Sequence, residues 1–303
     1  MQILIIDPEG GAFPPSESMT QEYVIMKTVM RYILIAALVA VFIKCGYELW
    51  EISGQYAQEA QIKAELAPFR PEIPKPQNIR NESGQQGYLP EHITDLSGAA
   101  LVEVTVQPAA SEKIVNQSIA VLQNEVNNDI IGWLTIPDTH IDYPVVIAKD
   151  NDYYLQRNIY KKQAAAGSIF MDCRCMQDFG DFNTVIYGHC MKNKSMFGDL
   201  KLFADPDFFD SNVSGMFFLK DNTYTLGIFA YMVISGDDTL IYDPTADKDV
   251  FFEYVRKNAR QYREPAEAEK VVTLSTCAYE YDGARMVLLA TIGYDLHPFI
   301  GHP

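Results

Sequence analysis

Short runs of β-branched and aromatic residues dominate the hydrophobic pattern of the C-terminal two thirds of the chain. Pro, Asp, Asn and Gly punctuate these runs, which is typical of strands joined by turns. The predicted strands are 131–136, 140–146, 167–171, 183–188, 215–219, 223–234, 271–277 and 286–292. Eight short strands within about 160 residues favour a closed or nearly closed β-barrel over a fold of alternating strands and helices.

Two segments of the same region have helical periodicity. The first begins with Ser111 as a candidate N-cap and places five apolar residues on one helical face: Ile114, Val115, Ile119, Leu122 and Val126. The second is a late helix at 248–262 between strands, with an apolar stripe of Val250, Phe251, Tyr254, Val255 and Tyr262. We therefore predict one compact, mainly β domain over 111–303, long enough to bury a single core.

An uncharged apolar run, YILIAALVAVFI, occupies 32–43 near the N-terminus, between Arg31 and Lys44. As a helix it rises only about 18 Å, whereas the hydrocarbon core of a membrane is about 30 Å thick. Flanking residues extend the apolar stretch to 28–50, and the two basic side chains can snorkel to opposite interfaces. The pattern predicts a transmembrane anchor at 28–50.

The basic residues Lys27 and Arg31 precede the apolar run, so the positive-inside rule puts residues 1–27 in the cytoplasm and the rest of the chain outside. A cleaved signal peptide and a buried globular helix are the alternatives, although no clear A-x-A cleavage site follows the run. Met26 would be a conventional start, which raises the hypothesis that the native protein begins there rather than at Met1.

A polar connection joins the anchor to the predicted domain. Residues 51–66 are mostly helix-forming and are predicted to continue the anchor as a stalk. Prolines concentrate from 68 to 90 among Gln, Asn, Ser and Gly, a composition that cannot bury a core. We predict an extended linker over 67–110, with a small irregular subdomain as the alternative, so that stalk and linker together occupy 51–110.

Composition and charge narrow the functional classes. The chain has 303 residues, of which 48% are hydrophobic and 21% charged, and this composition is globular. Its net charge is -16, whereas non-specific nucleic-acid binding needs a dense positive surface, so nucleic acid is not an expected partner. Five cysteines are too few for a disulfide scaffold, and their number is odd.

Two candidate catalytic residues lie on the last predicted hairpin. Cys277 ends the strand TLSTC, and Arg285 precedes the next strand, eight residues later. If these strands pair, Arg285 returns beside Cys277, where a guanidinium can lower the pKa of a thiol and make its thiolate reactive. Taken alone, a cysteine here could equally be a small buried hydrophobic residue.

His189 is the third candidate. It ends the strand VIYGH, follows a glycine and precedes a helix-like segment, and the histidines at 92, 140, 297 and 302 lack this combination. A Cys–His pair distant in sequence is the general pattern of thiol acyl-transfer enzymes. A hydrogen-bonded structural histidine is the alternative.

Three blocks in order resemble the class B sortases: W-L-x-I-x-x-x-x-I-D-Y-P-V with KDNDYYL, YGH followed by MK-x-x-SMFGDL, and TLSTC with Arg eight residues on. The resemblance spans 128–292. It implies an eight-stranded sortase-type β-barrel with an N-terminal helix and a late helix. It also implies a membrane-anchored cysteine transpeptidase that cleaves a C-terminal sorting signal of surface proteins and transfers the protein to a cell-wall amine.

The resemblance also implies residue roles. Cys277 would be the nucleophile that forms a thioester, His189 the general acid and then proton acceptor, and Arg285 the donor to substrate carbonyls and the oxyanion. Four residues match positions that line the sorting-signal groove of the family, and a fifth candidate lies in the loop before the late helix; they are Asn151, Leu155, Tyr187, Ser275 and, in the loop, Tyr242. Each has an ordinary packing or capping role as its alternative.

The implied partners are sorting-signal-bearing surface proteins, a peptidoglycan precursor or cell-wall peptide amine, and the membrane of a Gram-positive cell. The catalytic domain would be extracellular, and no cofactor is expected. Three alternatives stay open: a cleavage-only thiol peptidase, a pilin-polymerising sortase, and a non-catalytic surface scaffold.

The remaining cysteines depart from the family pattern. Cys190 directly follows the candidate histidine, where relatives more often carry a polar residue, and Cys173 and Cys175 form C-x-C. Structural zinc sites usually space their cysteines more widely, so no metal is predicted. Reduced thiols and a disulfide from Cys190 to either of the others are both open. Asp178 and Asp181 are predicted to lie in a solvated loop rather than to bind calcium.

Overall fold

A nine-stranded sheet forms most of the C-terminal part of the chain. We describe it from a computed structural model, which defines residues 5–6, 12–13, 17–72, 116–265, 269–277 and 283–293. The chain divides into two compact units, Met1–Gln61 and Ile62–Pro303.

The N-terminal unit consists of a short strand pair and most of a long helix. Strand β1 (Ile5–Ile6) pairs antiparallel with β2 (Ala12–Phe13), and helix α1 then runs over Glu17–Leu66. Within the described residues, one helical stretch, Gln21–Phe69, is long and apolar enough to cross a membrane by length and composition. The predicted anchor lies inside this stretch, so an N-terminal apolar helix is present as expected.

The strands of the second unit are labelled in chain order. They are β3 (Ile130–Thr135), β4 (Asp142–Val146), β5 (Ile169–Met171), β6 (Asn183–Tyr187), β7 (Ser214–Leu219), β8 (Thr223–Ser235), β9 (Gln261–Tyr262), β10 (Val271–Cys277) and β11 (Ala284–Gly293). All eight predicted strands are present, with ends that differ by at most two residues, and the two-residue β9 is an addition.

Eight of these strands close into a barrel. Their order is β11-β10-β6-β5-β4-β3-β7-β8, and β8 pairs back onto β11 to complete the ring, while β9 extends the other edge of β8. The β4–β5 and β6–β10 pairs are parallel, and the other barrel pairs are antiparallel. The eight-stranded barrel predicted from the sequence is confirmed.

The predicted late helix is α4 (Lys248–Asn258), and it begins where the side chain of Asp247 accepts a hydrogen bond from the Val250 amide at 3.0 Å. Its apolar stripe is narrower than predicted. Phe251 is buried, but Val250 is 53% exposed and Tyr262 lies in β9 rather than in the helix. Val250 belongs to the first turn, whose outer side is left uncovered.

The predicted N-terminal helix of the domain is shorter than its apolar pattern. It comprises α2 (Gln117–Val121), followed by one π-helical turn over Leu122–Val126. Ile119 and Leu122 are fully buried, as their helical spacing predicts. The candidate cap and the apolar positions at 111–115 lie outside the described residues. A second short helix, α3 (Pro206–Ser211), was not predicted.

Two hydrophobic clusters hold the barrel together, and the alternation of strand side chains separates them. Leu134 and Val145 point into the main cluster, whereas their neighbours Trp133 and Val146 belong to the second cluster. The second cluster also contains Ile119 and Leu122, so α2 and the π turn cover one outer face of the barrel.

Residues 62–72 contact the barrel, although they are predicted as stalk and linker. Leu66 is buried in the second cluster, the Lys63 ammonium donates to the carbonyl of His140 at 2.9 Å, and Arg70 pairs with Asp142 at 3.0 Å. Residues 73–110 of the predicted linker lie outside the described residues. The boundary between linker and domain near 111 therefore stays a prediction.

Candidate active site

The parallel pair β6–β10 brings two of the candidate residues to one end of the barrel. Tyr187 on β6 is the register partner of Ser275 on β10, and the next amide, that of Gly188, donates to the Ser275 carbonyl at 3.2 Å. His189 lies two residues beyond Tyr187, and Cys277 lies two residues beyond Ser275. The backbone thus brings both candidates to the same end of the paired strands.

The third candidate reaches this end through the predicted hairpin. Strand β11 pairs antiparallel with β10, and the register places Arg285 directly opposite Cys277. Arg285 is half-buried, and one of its Nη1–H groups donates to the carbonyl of Ala284 at 3.0 Å. Beside it, Gly236 provides space, since a Cβ there would lie 3.3 Å from the Arg285 Cζ atom.

A cleft of about 300 Å³ opens at this end of the barrel. Its walls contain His189, Arg285 and all five candidate substrate-binding residues, together with five others. The complete lining is Asn151, Asp152, Leu155, Phe170, Tyr187, Gly188, His189, Gly236, Tyr242, Ser275, Thr276 and Arg285. The structure therefore brings together residues that are as far apart as 151 and 285 in the sequence.

His189 is held at the cleft by its own backbone and by the glycine before it. The His189 carbonyl accepts a hydrogen bond from the Phe197 amide at 2.9 Å. A Cβ at Gly188 would collide with Ile169 Cδ1 and lie 2.9 Å from the Phe197 ring, so a larger residue would require these buried side chains to shift. Burial lowers the pKa of His189, and the imidazole is therefore mostly neutral at pH 7.

The part of the lining formed by Phe170, Tyr187, Tyr242 and Ser275 is aromatic and polar. The ring of Tyr187 lies 5.4 Å from that of Phe170 and 6.1 Å from that of Tyr242, measured between centroids. The Tyr242 hydroxyl is hydrogen-bonded to the Ser275 hydroxyl at 2.9 Å. Leu155 is 38% exposed and adds an accessible apolar surface. Such a cleft can hold a peptide through both main-chain hydrogen bonds and apolar contacts.

Among the residues that the structure describes, none of Cys45, Cys173, Cys175 and Cys190 is in a disulfide bond, and no group of three or more His, Cys, Asp or Glu side chains could hold a metal ion. Cys175 is buried, and burial raises the pKa of its thiol to about 12, which makes it an inert packing residue.

The loop after Cys175 is organised by its own acidic side chains. Asp178 accepts a hydrogen bond from the Gly180 amide at 3.0 Å, and Asp181 accepts one from the Met176 amide. These carboxylates therefore stabilise turns of the loop.

Several residues at the cleft have no counterpart among the sequence candidates. Asp152, Phe170 and Thr276 line it directly, and Thr276 has a buried hydroxyl with no protein partner in the described part of the chain. Asp172 is hydrogen-bonded to Tyr187, and Arg174 is hydrogen-bonded to the main-chain carbonyl of Tyr242. The sequence did contain a signal for Asp172, which directly follows the apolar strand IFM. A carboxylate next to a buried strand requires a hydrogen-bonding or charged partner, because an unpaired buried charge is unfavourable.

Comparison with known proteins identifies the family. Residues 134–292 match the family model of the sortase domain. Sortase B of Listeria monocytogenes is 40% identical over 171 residues, which are 54% of this chain and 70% of that protein.

Two solved structures support the same assignment. Sortase B from Bacillus anthracis has a TM-score of 0.55 at 34% identity, over 61% of this chain and 87% of that one. A Streptococcus pyogenes class B sortase involved in pilus biogenesis has a TM-score of 0.54 at 29% identity, over 57% and 97%. The chain belongs to the sortase family, the transpeptidases that attach surface proteins to the cell wall, and within that family it is a class B sortase.

Proposed function

We propose that this protein is a membrane-anchored cysteine transpeptidase that cleaves a C-terminal sorting signal through a Cys277 thioester and transfers the shortened protein to a cell-wall amine. One observation carries the proposal: the strand ends of β6, β10 and β11 meet at a single peptide-sized cleft. A thiol nucleophile, an acid–base imidazole and a cationic donor at one cleft suffice for acyl transfer.

Cys277 is the proposed nucleophile. Its sulfur attacks a backbone carbonyl of the sorting signal, and the tetrahedral intermediate collapses to a thioester as the carbon–nitrogen bond breaks. The leaving amine takes a proton, and the carboxyl-terminal fragment departs. The acceptor amine then attacks the thioester carbonyl and releases the thiol, which leaves a new amide bond.

His189 is the proposed general acid for the first step and proton acceptor for the second. Its burial lowers the pKa, so the imidazolium form is a minor species at pH 7 and the neutral form dominates. This favours the second step, in which a neutral imidazole accepts the proton of the incoming amine. The first step draws on the minor protonated fraction.

Arg285 is the proposed electrostatic donor. A guanidinium offers hydrogen-bond donors and no acceptor, so Arg285 is proposed as a donor and not as a base. Its position opposite Cys277 in the β10–β11 register favours a role in holding the scissile carbonyl and stabilising the oxyanion that forms there.

Five other cleft residues are proposed to bind the sorting signal. They are Asn151, Leu155, Tyr187, Tyr242 and Ser275, and their shared position in the lining supports this role. The apolar surface of Leu155 suits a hydrophobic peptide side chain, while the hydroxyl and amide groups suit the peptide main chain.

The long N-terminal helix supports attachment to the membrane. We propose a single-pass anchor at 28–50 with a cytoplasmic N-terminus and an extracellular catalytic domain, because Lys27 and Arg31 precede the apolar segment. The proposed partners are surface proteins that carry a sorting signal and a peptidoglycan precursor or cell-wall peptide that carries the amine.

Assembly of pili is a second candidate function. The similarity to the S. pyogenes class B sortase involved in pilus biogenesis favours it specifically. The two functions use the same thioester and differ only in the acceptor, which is a cell-wall peptide amine in one case and a lysine of a pilin in the other. Competition between the two kinds of amine for the acyl-enzyme separates them.

The test is acylation of the full chain, in detergent, by a pool of class B sorting-signal peptides, followed by intact-protein mass spectrometry. We expect an adduct on Cys277 that an added amine resolves into a ligated peptide, and no adduct in Cys277→Ala. Cys173→Ala, which removes another described thiol, is the matched control and should react normally. An adduct resolved only by water would favour a cleavage-only peptidase, and peptide cleavage by Cys277→Ala would refute the assignment.

A further inference from the structure

Asp172 is a charged residue with no exposed surface, and it lies directly after β5. Arg174 forms a bidentate pair with the Asp172 carboxylate, in which Nε donates to Oδ1 at 2.9 Å and Nη2 donates to Oδ2 at 2.7 Å. The Arg174 amide also donates to Oδ1 at 2.9 Å. A buried carboxylate with this many donors is held in one orientation.

The same carboxylate is bonded to two residues of the cleft. The Tyr187 hydroxyl donates to Oδ2 at 2.9 Å, and the side chain of Asn151 also forms a hydrogen bond to Asp172. Burial alone would raise the pKa of Asp172, but the hydrogen bonds from Arg174, Tyr187 and Asn151 outweigh burial and lower it. The carboxylate is therefore ionised at neutral pH.

These bonds decide what Asn151 and Tyr187 can offer to a ligand. The Asn151 Oδ1 atom accepts from the Cys173 amide at 2.8 Å, so its NH₂ group is the end directed to Asp172, and one N–H remains for a peptide carbonyl. The Tyr187 proton is committed to Asp172, so its oxygen is left as an acceptor for a peptide N–H. Burial and the neighbouring charge raise the pKa of Tyr187, which keeps the phenol protonated.

Arg174 extends the network to Tyr242, which also lines the cleft. Its Nη2 group donates to the main-chain carbonyl of Tyr242 at 2.7 Å, and the Tyr242 hydroxyl is bonded to Ser275. Four of the five proposed sorting-signal contacts are thus connected to one ion pair. Leu155, an apolar residue, is the fifth.

We propose that Asp172 and Arg174 are positioning residues for sorting-signal recognition, which orient Asn151, Tyr187 and Tyr242 so that the cleft offers a hydrogen-bond donor and an acceptor to an extended peptide main chain. The inference rests on the proposed function of the cleft. Neither residue takes part in the bond-making steps, and the pair acts on how the peptide is held.

The test compares Asp172→Asn and Arg174→Gln with wild type in the full chain, using the sorting-signal peptide that acylates wild type best. Asp172→Asn removes the charge with little change of shape, and we expect the KM for the peptide to rise at least about tenfold while kcat changes by less than about threefold. Arg174→Gln retains the carboxylate and should raise KM by about three- to tenfold.

The matched control is Asp142→Asn. Asp142 is also a carboxylate that accepts side-chain hydrogen bonds, from Trp133 and Thr135, and it pairs with Arg70. Its loss tests whether weakening any such network raises KM, and we expect KM to stay unchanged. The rate of Cys277 alkylation by iodoacetamide should be the same in all three variants, since the proposed pair acts on how the peptide is held and not on the nucleophile.

A double-mutant cycle tests the route of action. If Asp172 works through Tyr187, then Asp172→Asn lowers kcat/KM by a smaller factor in a Tyr187→Phe background than in wild type. The loss in kcat/KM of the double variant is then smaller than the product of the two single losses. Fully independent losses, or an unchanged KM in folded Asp172→Asn, would overturn the proposal. If Asp172→Asn does not fold, an unchanged KM in Arg174→Gln, whose side chain is 55% exposed, overturns it equally.

Binding without chemistry separates this inference from the proposed function. Fluorescence anisotropy of the labelled peptide with full-chain Cys277→Ala, with and without Asp172→Asn, reports recognition alone. Loss of binding on Asp172→Asn with no adduct in wild type would support the positioning pair and refute the transpeptidase. A normal adduct in wild type, together with peptide binding that does not depend on Asp172, would support the transpeptidase and refute the positioning pair.

Discussion

At position 188 any side chain would collide with the buried residues Ile169 and Phe197 and would require them to shift. The end of β6 therefore packs tightly against the barrel, and the next residue, His189, is half-buried at the cleft. The same burial lowers the pKa of its imidazole. Packing around one glycine thus positions a candidate catalytic group and also tunes its protonation.

Burial of His189 predicts a pH-dependent stability. Because its folded pKa lies below the value of about 6.5 for an unfolded histidine, the unfolded chain binds the proton more readily. The stability linked to the neutral imidazole is complete above about pH 6.5 and is lost as the pH falls through the folded pKa. We expect the free energy of unfolding of wild type to fall relative to that of His189→Gln between about pH 7 and 5, measured by urea denaturation. Parallel pH curves would contradict this.

Gly236 predicts a second effect at the level of one residue. A Cβ there would lie 3.1 Å from the Gly283 carbonyl oxygen and 3.3 Å from the Arg285 Cζ atom. Gly236→Ala should displace the guanidinium and lower kcat/KM for acylation by about tenfold or more, since small misplacements of catalytic groups are costly. Gly293→Ala, on the strand β11 that carries Arg285, is the control, because its Cβ would be 3.6 Å from the nearest atom. Equal activity of the two variants would argue against a role of Gly236 in positioning Arg285.

At the scale of elements, the first residue of β6 fixes the loop that carries Tyr242. The Asn183 side chain is fully buried, donates to the carbonyls of Ile241 and Asp243 at 2.8 and 3.2 Å, and accepts from the Thr273 hydroxyl at 2.7 Å. One amide therefore ties the loop before α4 to both β6 and β10. The aromatic wall of the cleft depends on this connection.

Asn183→Ala should destabilise the fold by about 2–4 kcal/mol, because it leaves two carbonyls and one hydroxyl without their partner in a buried place. Chemical denaturation monitored by circular dichroism measures this loss. Asn258→Ala is the control, since the Asn258 side chain is exposed and donates to the Tyr254 carbonyl within α4. We expect that control to cost less than about 0.5 kcal/mol. A similar cost for the two variants would show that the buried amide has no special role.

At the scale of the whole molecule, the chain combines a barrel with a helix whose apolar side chains are exposed, among them Phe42 and Trp50, at 75% and 73%. Apolar surface of this extent is unfavourable in water and favourable in lipid. The barrel needs no such environment, since its two clusters are buried within the second unit.

Removal of residues 1–50, which contain the proposed anchor, should therefore make the chain water-soluble. We expect the full chain to stay with the membrane fraction under alkaline extraction, and the shortened chain, which keeps the barrel contacts of 62–72, to appear in the supernatant with wild-type peptide affinity. Release of the full chain into the supernatant at alkaline pH would contradict the anchor.

The orientation is tested in intact cells, where added protease should digest a catalytic domain that lies outside the membrane. Complete protection of that domain from protease would contradict the proposed orientation.

The sequence by itself determined the features that depend on local patterns. Strand periodicity and turn residues identified all eight barrel strands, the apolar run identified the N-terminal helix, and the spacing of Cys277 and Arg285 predicted a hairpin that the register reproduces. Motif resemblance added the family and the candidate cleft residues, including Asn151 and Tyr187. Each of these signals is contained in a short stretch of chain or in a few ordered blocks.

Only the tertiary structure decided which residues form hydrogen bonds to the residues that line the cleft. Asp172 looks like any polar residue after a strand, and its role follows from partners at 151, 174 and 187 that meet only when the barrel closes. The exposure of Val250 and the contact of Leu66 with the barrel likewise depend on which surfaces remain to be covered. The physical reason is common to all three: burial and hydrogen-bond partnership are set by distant segments, whereas periodicity is set by neighbours.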